Sequence, residues 1–188
     1  MVKEPVAGRV KTRLGRDIGM VQAAWWFRRQ SRSLVRRLTD PRWQLVLAVS
    51  PDRRGLMSRF WPEHVPRVPQ GTGTLGDRMG RMLRSMPPGP VCVIGADIPG
   101  ITRMHIVDAF ASLGAHDAVF GPANDGGYWL VGARRRRALP PSMFTGVRWS
   151  TKFALADTLA TMGDARIAQV ATLADIDTNA DLLELSLP

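Results

Sequence analysis

An α/β fold with a mostly parallel sheet is what this sequence predicts, and three observations carry the prediction. Short apolar runs alternate with longer amphipathic stretches along the whole chain. One run, Val91 to Gly95, delivers Asp97 straight into a Gly/Pro turn (VCVIGADIPG), at the strand tip where open α/β sheets bind ligands. At 188 residues and 45% hydrophobic, the chain has the size and apolar content of one domain, and no repeat, low-complexity tract or linker divides it.

The chain opens on Lys3 to Leu14 (KEPVAGRVKTRL), a turn around Gly8 with cations at Arg9, Lys11 and Arg13. Alternate spacing points the three one way, and guanidinium forks with a mobile ammonium suit a diphosphate or triphosphate. A solvated basic loop is the competing reading. Neither GxxxxGK[ST] nor GxGxxG is present. A helix over Asp17 to Leu38 follows, its apolar stripe approximated by Ile18, Val21, Ala24, Trp25, Leu34, Val35 and Leu38. With Trp25 in the stripe, Trp26 is left partly exposed or at a contact. Arg28, Arg29, Arg32, Arg36 and Arg37 share the polar face.

Next come a strand over Trp43 to Ser50, a short helix near Leu56 to Trp61 and a brief strand over Val65 to Val68. Gln70 to Asp77 is Gly-rich (Gly71, Thr72, Gly73), and the helix after it places Met79, Met82, Leu83 and Met86 at core spacing. Val91 to Gly95, a helix over Thr102 to Leu113 and Ala118 to Gly121 form a strand, helix, strand unit with a right-handed crossover. This puts Asp97 and Asp125 toward one edge of the sheet. Tyr128 to Ala133 is a strand, and a helix over Thr151 to Met162, capped by Ser150 or Thr151, stops at Gly163. A last strand, Ile167 to Val170, leads to Asp175 and Asp177 before a short helix.

Each acid has a structural reading beside the functional one. Asp97 suits a divalent metal carrying a nucleotide diphosphate, or the cap of the following helix. Asp125-Gly126-Gly127 suits close backbone approach to a ligand, or a tight hairpin. Asp175 and Asp177 also fit a helix N-terminus.

Taken together and in order, these segments resemble a family of bacterial glycosyltransferase-like proteins with the GT-A (nucleotide-diphospho-sugar transferase) fold, relatives of the molybdenum-cofactor and phospholactate nucleotidylyltransferases. The matching residues are Lys3 to Leu14, Gly73 to Met79, Gly95 to Gly100, Gly121 to Gly132, Trp149-Ser150-Thr151 and Asp175 to Thr178. The resemblance implies a three-layer α/β/α, Rossmann-like GT-A domain spanning 1–188. It implies metal-assisted attack of an unidentified acceptor on a nucleotide-activated donor. Asp97 and Asp177 would hold Mg2+ or Mn2+. Lys11 and Arg13 would stabilise developing phosphate charge, and Asp125 would orient or deprotonate the acceptor. Gly8, Arg9, Gly71, Thr72, Gly73 and Asp97 would line the nucleotide, and Gly126 and Gly127 the substrate. A nucleotide-sugar donor implies glycosyl transfer and a nucleoside triphosphate implies nucleotidylyl transfer; the same residues serve both, and the Gly126-Gly127-Tyr128 loop leans to the former.

The family opens on an apolar strand before the Lys-x-Pro segment, and here only Met1-Val2 precede Lys3. Four missing buried residues would forfeit roughly 1.5 to 3 kcal/mol each, so a start upstream of Met1 is expected. The +10 net charge lies entirely in the first 60 residues. Arg134 to Arg137 forms a further run that would contact an anionic acceptor or simply be solvated. A nucleic-acid-binding protein or an inactive scaffold remain the non-enzyme readings, but acids at strand tips repel a phosphate backbone. No apolar run is long enough for a membrane span, no signal-peptide pattern opens the chain, and the single Cys92 allows no intrachain disulfide. A cytoplasmic enzyme is expected.

Overall fold

In a computed structural model of the chain, residues 1–185 are described, and they divide into two compact units. The first comprises Met1–Pro69, Ala96–Gly100 and the segment from Asp175; the second comprises Gln70–Gly95 and Ile101–Ala174.

The first unit is built on a parallel sheet of β1 (Val2–Lys3), β2 (Leu47–Ser50) and β3 (Arg67–Pro69), in that order. Leu47, Ala48 and Val49 are all buried, as expected of a parallel strand covered on both faces. Between β1 and β2 lie α1 (Thr12–Ile18) and α2 (Met20–Leu38), and α3 (Asp52–Leu56) follows β2. The single helix expected over Asp17 to Leu38 is thus two, broken at Gly19, whose φ of +94° ends one helix before the next begins. Its stripe is also rotated. The buried residues of α2 are Ala23, Ala24, Phe27, Ser31, Leu34, Val35 and Leu38, a 3.6-residue period that counts Ser31 as core because its hydroxyl donates to the Phe27 carbonyl at 2.7 Å. Val21 and Trp25 are exposed, and Trp26 is the partly buried one, packed with Ile18 and Leu182 on a cluster of Leu14, Ala23 and Ile176. The expected helix near Leu56 to Trp61 lies earlier, at α3; Trp61 is instead a buried loop residue.

In the second unit α4 (Leu75–Ser85) precedes a four-stranded sheet with the order β4 (Val91–Ile94), β6 (Tyr128–Ala133), β5 (Ala118–Pro122), β7 (Ile167–Gln169). The strand, helix, strand unit through α5 (Arg103–Ser112) is present, but its strands do not pair directly. The strand β6 lies between β4 and β5, antiparallel to both, and only β5 and β7 pair in parallel. A short hairpin from β5 makes this possible, and its central residues Phe120, Leu130 and Val131 are fully buried. Met79, Met82 and Leu83 are core, as their spacing predicts. The last helices are α6 (Ala154–Ala160) and, back in the first unit, α7 (Asn179–Leu185). Ser150 and Thr151 precede a turn rather than cap α6, which starts after Phe153.

Candidate active site

Lys11, Arg13, Asp97 and Asp177 come together in the first unit, and Asp175, absent from the expected ligand set, joins them. The assembly starts with backbone. Gly8 turns the chain at φ +74° and Lys11 adopts a left-handed conformation at φ +46°, a state that costs a non-glycine residue about 1–2 kcal/mol. Lys11 is the N-cap of α1, and its carbonyl receives the Gly15 N–H at 2.8 Å. The ammonium is thereby carried inward: its side chain is only 6% exposed.

Asp97 is placed by burial of its neighbours. Ala96 and Ile98 are both buried, while the Asp97 side chain between them is 34% exposed. The Asp97 carbonyl accepts the Ile176 N–H at 3.4 Å, so the two acidic segments run side by side. Ile176, 3% exposed and in the Leu14–Ala23 cluster, pins the second segment to α1 and α2, with Asp175 and Asp177 flanking it. The helix-capping reading of these acids falls to other residues. Thr178 caps α7, with its hydroxyl accepting the Asp181 N–H and Asp181 accepting the Thr178 N–H at 2.7 Å. Asp17 accepts the Asn179 N–H at 3.0 Å. The cap before α5 is Thr102, in a reciprocal pair with His105, and not Asp97.

The Lys11 ammonium lies 2.7 Å from Asp97 Oδ2 and 2.6 Å from Asp177 Oδ1. Arg13, 62% exposed, reaches Asp177 Oδ2 at 3.0 Å. Burial, the largest single influence, pulls the Lys11 pKa down, but attraction to Asp97 and hydrogen bonds to both aspartates outweigh it, and the net shift is upward. One oxygen each of Asp97, Asp175 and Asp177 lie within 4.8 Å of one another. This is a hard-oxygen donor set of the kind that takes Mg2+ or Mn2+. It fits such an ion on one condition: the ion and the Lys11 ammonium compete for the same oxygens.

Arg9, Lys11 and Arg13 do not point one way, as they would on an extended chain, because the backbone turns left-handed at Lys11 and enters α1 at Thr12. Lys11 and Arg13 face the acids, while Arg9 lines a different cavity of the same unit.

The remaining expected residues lie in the second unit and have local structural duties. Gly71 and Gly73 have positive φ, and the loop they shape is held from within: Arg81 donates to the Gln70 and Thr72 carbonyls and Arg78 to the Gly73 carbonyl. The loop ends in a Thr74–Asp77 capping box. Asp125 is exposed in the β5–β6 hairpin, where its Oδ1 accepts the Gly127 N–H at 2.8 Å. At Gly126, φ is +84° and a Cβ would stand 2.2 Å from the Lys152 carbonyl oxygen. Arg135, in the basic run, turns back to donate to the Arg84 and Met86 carbonyls at the C-terminal end of α4, a C-terminal anchor rather than a free patch.

These features place the chain among proteins with a mixed α/β, nucleotide-diphospho-sugar transferase-like fold. The chain is 28% identical to a Desulfovibrio desulfuricans G20 protein provisionally named a nucleotide-diphospho-sugar transferase, with a TM-score of 0.84 over 98% of this chain and 83% of that one. A homolog of Mycobacterium tuberculosis rv0371c from Mycobacterium sp. strain JC1 shares the fold alone, at 15% identity and a TM-score of 0.52, over 83% of this chain and 79% of the other. Residues 34–151 match the bacterial family described as "Uncharacterized protein conserved in bacteria (DUF2064)", and the chain belongs to it. No curated protein matches the sequence. Among the described residues no helix is long and apolar enough to cross a membrane.

Proposed function

We propose that the protein is a glycosyltransferase that takes a nucleotide-diphospho-sugar donor at the Asp97, Asp175 and Asp177 cluster. The observation that carries this reading is the convergence of those three carboxylates within 4.8 Å beside Lys11 and Arg13, in a chain 28% identical to the Desulfovibrio protein. Mg2+ or Mn2+, held by the aspartates, would neutralise charge on the donor's phosphate oxygens.

The chain's own residues supply the rest. Lys11 and Arg13 would bind phosphate oxygens and stabilise the charge that develops as the diphosphate leaves. In the reaction an acceptor hydroxyl oxygen bonds to the anomeric carbon, the bond from that carbon to the diphosphate oxygen breaks, and the electron pair departs with the nucleoside diphosphate. The hydroxyl proton passes to a base.

The test is thermal unfolding with UDP-, GDP-, CDP- and ADP-sugars and the matching triphosphates, with and without Mn2+ or Mg2+, on wild type and Asp97→Asn. A metal-dependent rise in Tm with one nucleotide-sugar, lost in Asp97→Asn, is the expected result. A rise with triphosphates alone overturns the donor assignment in favour of nucleotidylyl transfer, and no rise with any ligand overturns the reading altogether.

A further inference from the structure

A second feature of the first unit lies outside the aspartate cluster and shares no residue with it. Six arginines, Arg9, Arg28, Arg32, Arg53, Arg54 and Arg59, line an open pocket of about 850 Å3. One acid, Glu4, is among them. It does not neutralise them: its Oε1 accepts the Ser58 hydroxyl at 2.8 Å, and its Oε2 is buried without a hydrogen-bond partner among the described residues. Elsewhere the chain pairs its arginines with acids, as in Arg42–Asp40, Arg148–Asp157 and Arg166–Asp117. None of the six has such a partner among the described residues.

Two of the six are held in place. Arg28 and Arg32 lie over the Phe60 ring at 4.6 and 4.9 Å, and Phe60 is itself stacked edge-on against buried Trp61 at 4.5 Å between centroids. Cation–π contacts fix a guanidinium through its face and leave in-plane N–H groups for other partners; Arg32 gives one of these to the Phe60 carbonyl at 3.5 Å. Convergent like charges around a concave surface concentrate anions there. Exposed Met57 and Pro51 add an apolar wall.

We propose that this cavity is a binding site for a small phosphorylated organic molecule carrying two or more negative charges. Arginine forks match phosphate oxygens. The volume falls within the range of small-molecule sites, roughly 300–1,000 Å3, whereas a protein that tracks a nucleic-acid backbone spreads its cations along an extended groove with stacking platforms. The proposal does not depend on the donor reading, because no residue of the aspartate cluster takes part and no divalent ion is needed.

The experiment is isothermal titration calorimetry in EDTA with inorganic pyrophosphate, with fructose 1,6-bisphosphate as an organic bisphosphate, and with oligo-dT of increasing length. Wild type is expected to bind both small probes at one site per chain, the bisphosphate more tightly than pyrophosphate because of the apolar wall. Arg28→Gln/Arg32→Gln is expected to weaken binding at least tenfold, and Asp97→Asn to leave it unchanged. Should the first variant fold poorly, Arg54→Gln/Arg59→Gln alters only exposed residues and is expected to have the same direction of effect. Equal affinity in wild type and arginine variants, loss of binding in Asp97→Asn, or affinity that grows with oligo-dT length beyond that for either small probe would each overturn the proposal. Pyrophosphate bound as tightly as the bisphosphate would overturn its organic part.

Discussion

Lys11→Met removes the ammonium between Asp97 and Asp177 while keeping an unbranched side chain of similar length. The cost is bracketed by two limits: an exposed ion pair contributes about 0–1 kcal/mol, and breaking one side of a buried pair costs roughly 3–5 kcal/mol. Lys11 is 6% exposed, but its partners are 34% and 37% exposed, so water screens the carboxylates left behind and a loss of about 1–3 kcal/mol is expected. For a chain of this size each kcal/mol moves Tm by about 2–4 °C, which gives a fall of about 2–12 °C in thermal unfolding at neutral pH with EDTA. The raised Lys11 pKa has the matching sign. Its stabilisation is complete below the ordinary lysine value of 10.5 and is lost only as pH climbs through the higher folded value. A second readout separates this role from simple packing. With the ammonium gone, Asp97 and Asp177 lose the cation they share, so Mn2+ is expected to raise the Tm of the variant more than that of wild type. A variant with wild-type Tm, or one whose Mn2+ response equals that of wild type, refutes the idea that ammonium and cation compete for the same oxygens.

Other consequences follow from particular contacts. Hydrogen bonds from the Arg148 side chain and backbone hold the Asp157 pKa at about 2; a depressed value stabilises above the ordinary 3.8 and is lost as pH falls toward 2, so acid unfolding curves of Asp157→Asn should be flatter than wild type in that window. Gly126→Ala combines positive φ with a Cβ against the Lys152 carbonyl and should lower the urea midpoint by an amount equivalent to at least about 2 kcal/mol, whatever the loop does for a substrate. Trp26→Ala, which strips the Leu14–Ala23–Ile176 cluster, should cost roughly 1.5–3 kcal/mol, whereas Trp25→Ser, at a position 67% exposed, should stay within about 0.5 kcal/mol by the same measurement. Burial pushes the Cys92 thiol to about 12, so labelling by a thiol reagent at mildly alkaline pH should be slow and should accelerate with denaturant.

The strands, the helices after them and the acids at their tips were legible because each is a local pattern. Three apolar residues in a row in β2 and the Met spacing of α4 need no tertiary information to interpret. What was hidden depends on long-range partners. Ser31 counts as core because it bonds its own helix backbone, and the exchange of Trp25 for Trp26 follows from that corrected phase. The interposition of β6 between β4 and β5 is a pairing choice among strands that look alike in sequence. Asp175 carried the same signal as Asp177, an acid on alternate positions around one apolar residue, and the spacing alone was sufficient to find it. The helix-cap alternative for both acids fails because Thr178 and Asp181 already fill that role.

The opening loop shows why periodicity misled where the chemistry was densest. Alternation aims side chains together only in extended backbone. Here the chain turns over Ala7 to Arg9, Lys11 is left-handed and Arg13 is already helical, and the strained conformation of Lys11 is the kind that surrounding structure must hold in place. The surroundings that hold it are the two aspartates, which draw the ammonium inward. The consequence is a division of labour within a few residues. Lys11 and Arg13 go to the acidic cluster, and Arg9 goes to the arginine-lined cavity, so a single turn supplies cations to two sites of different character. The passage from the Gly8 turn through Lys11 into α1 is therefore the element on which the separation of the two sites rests.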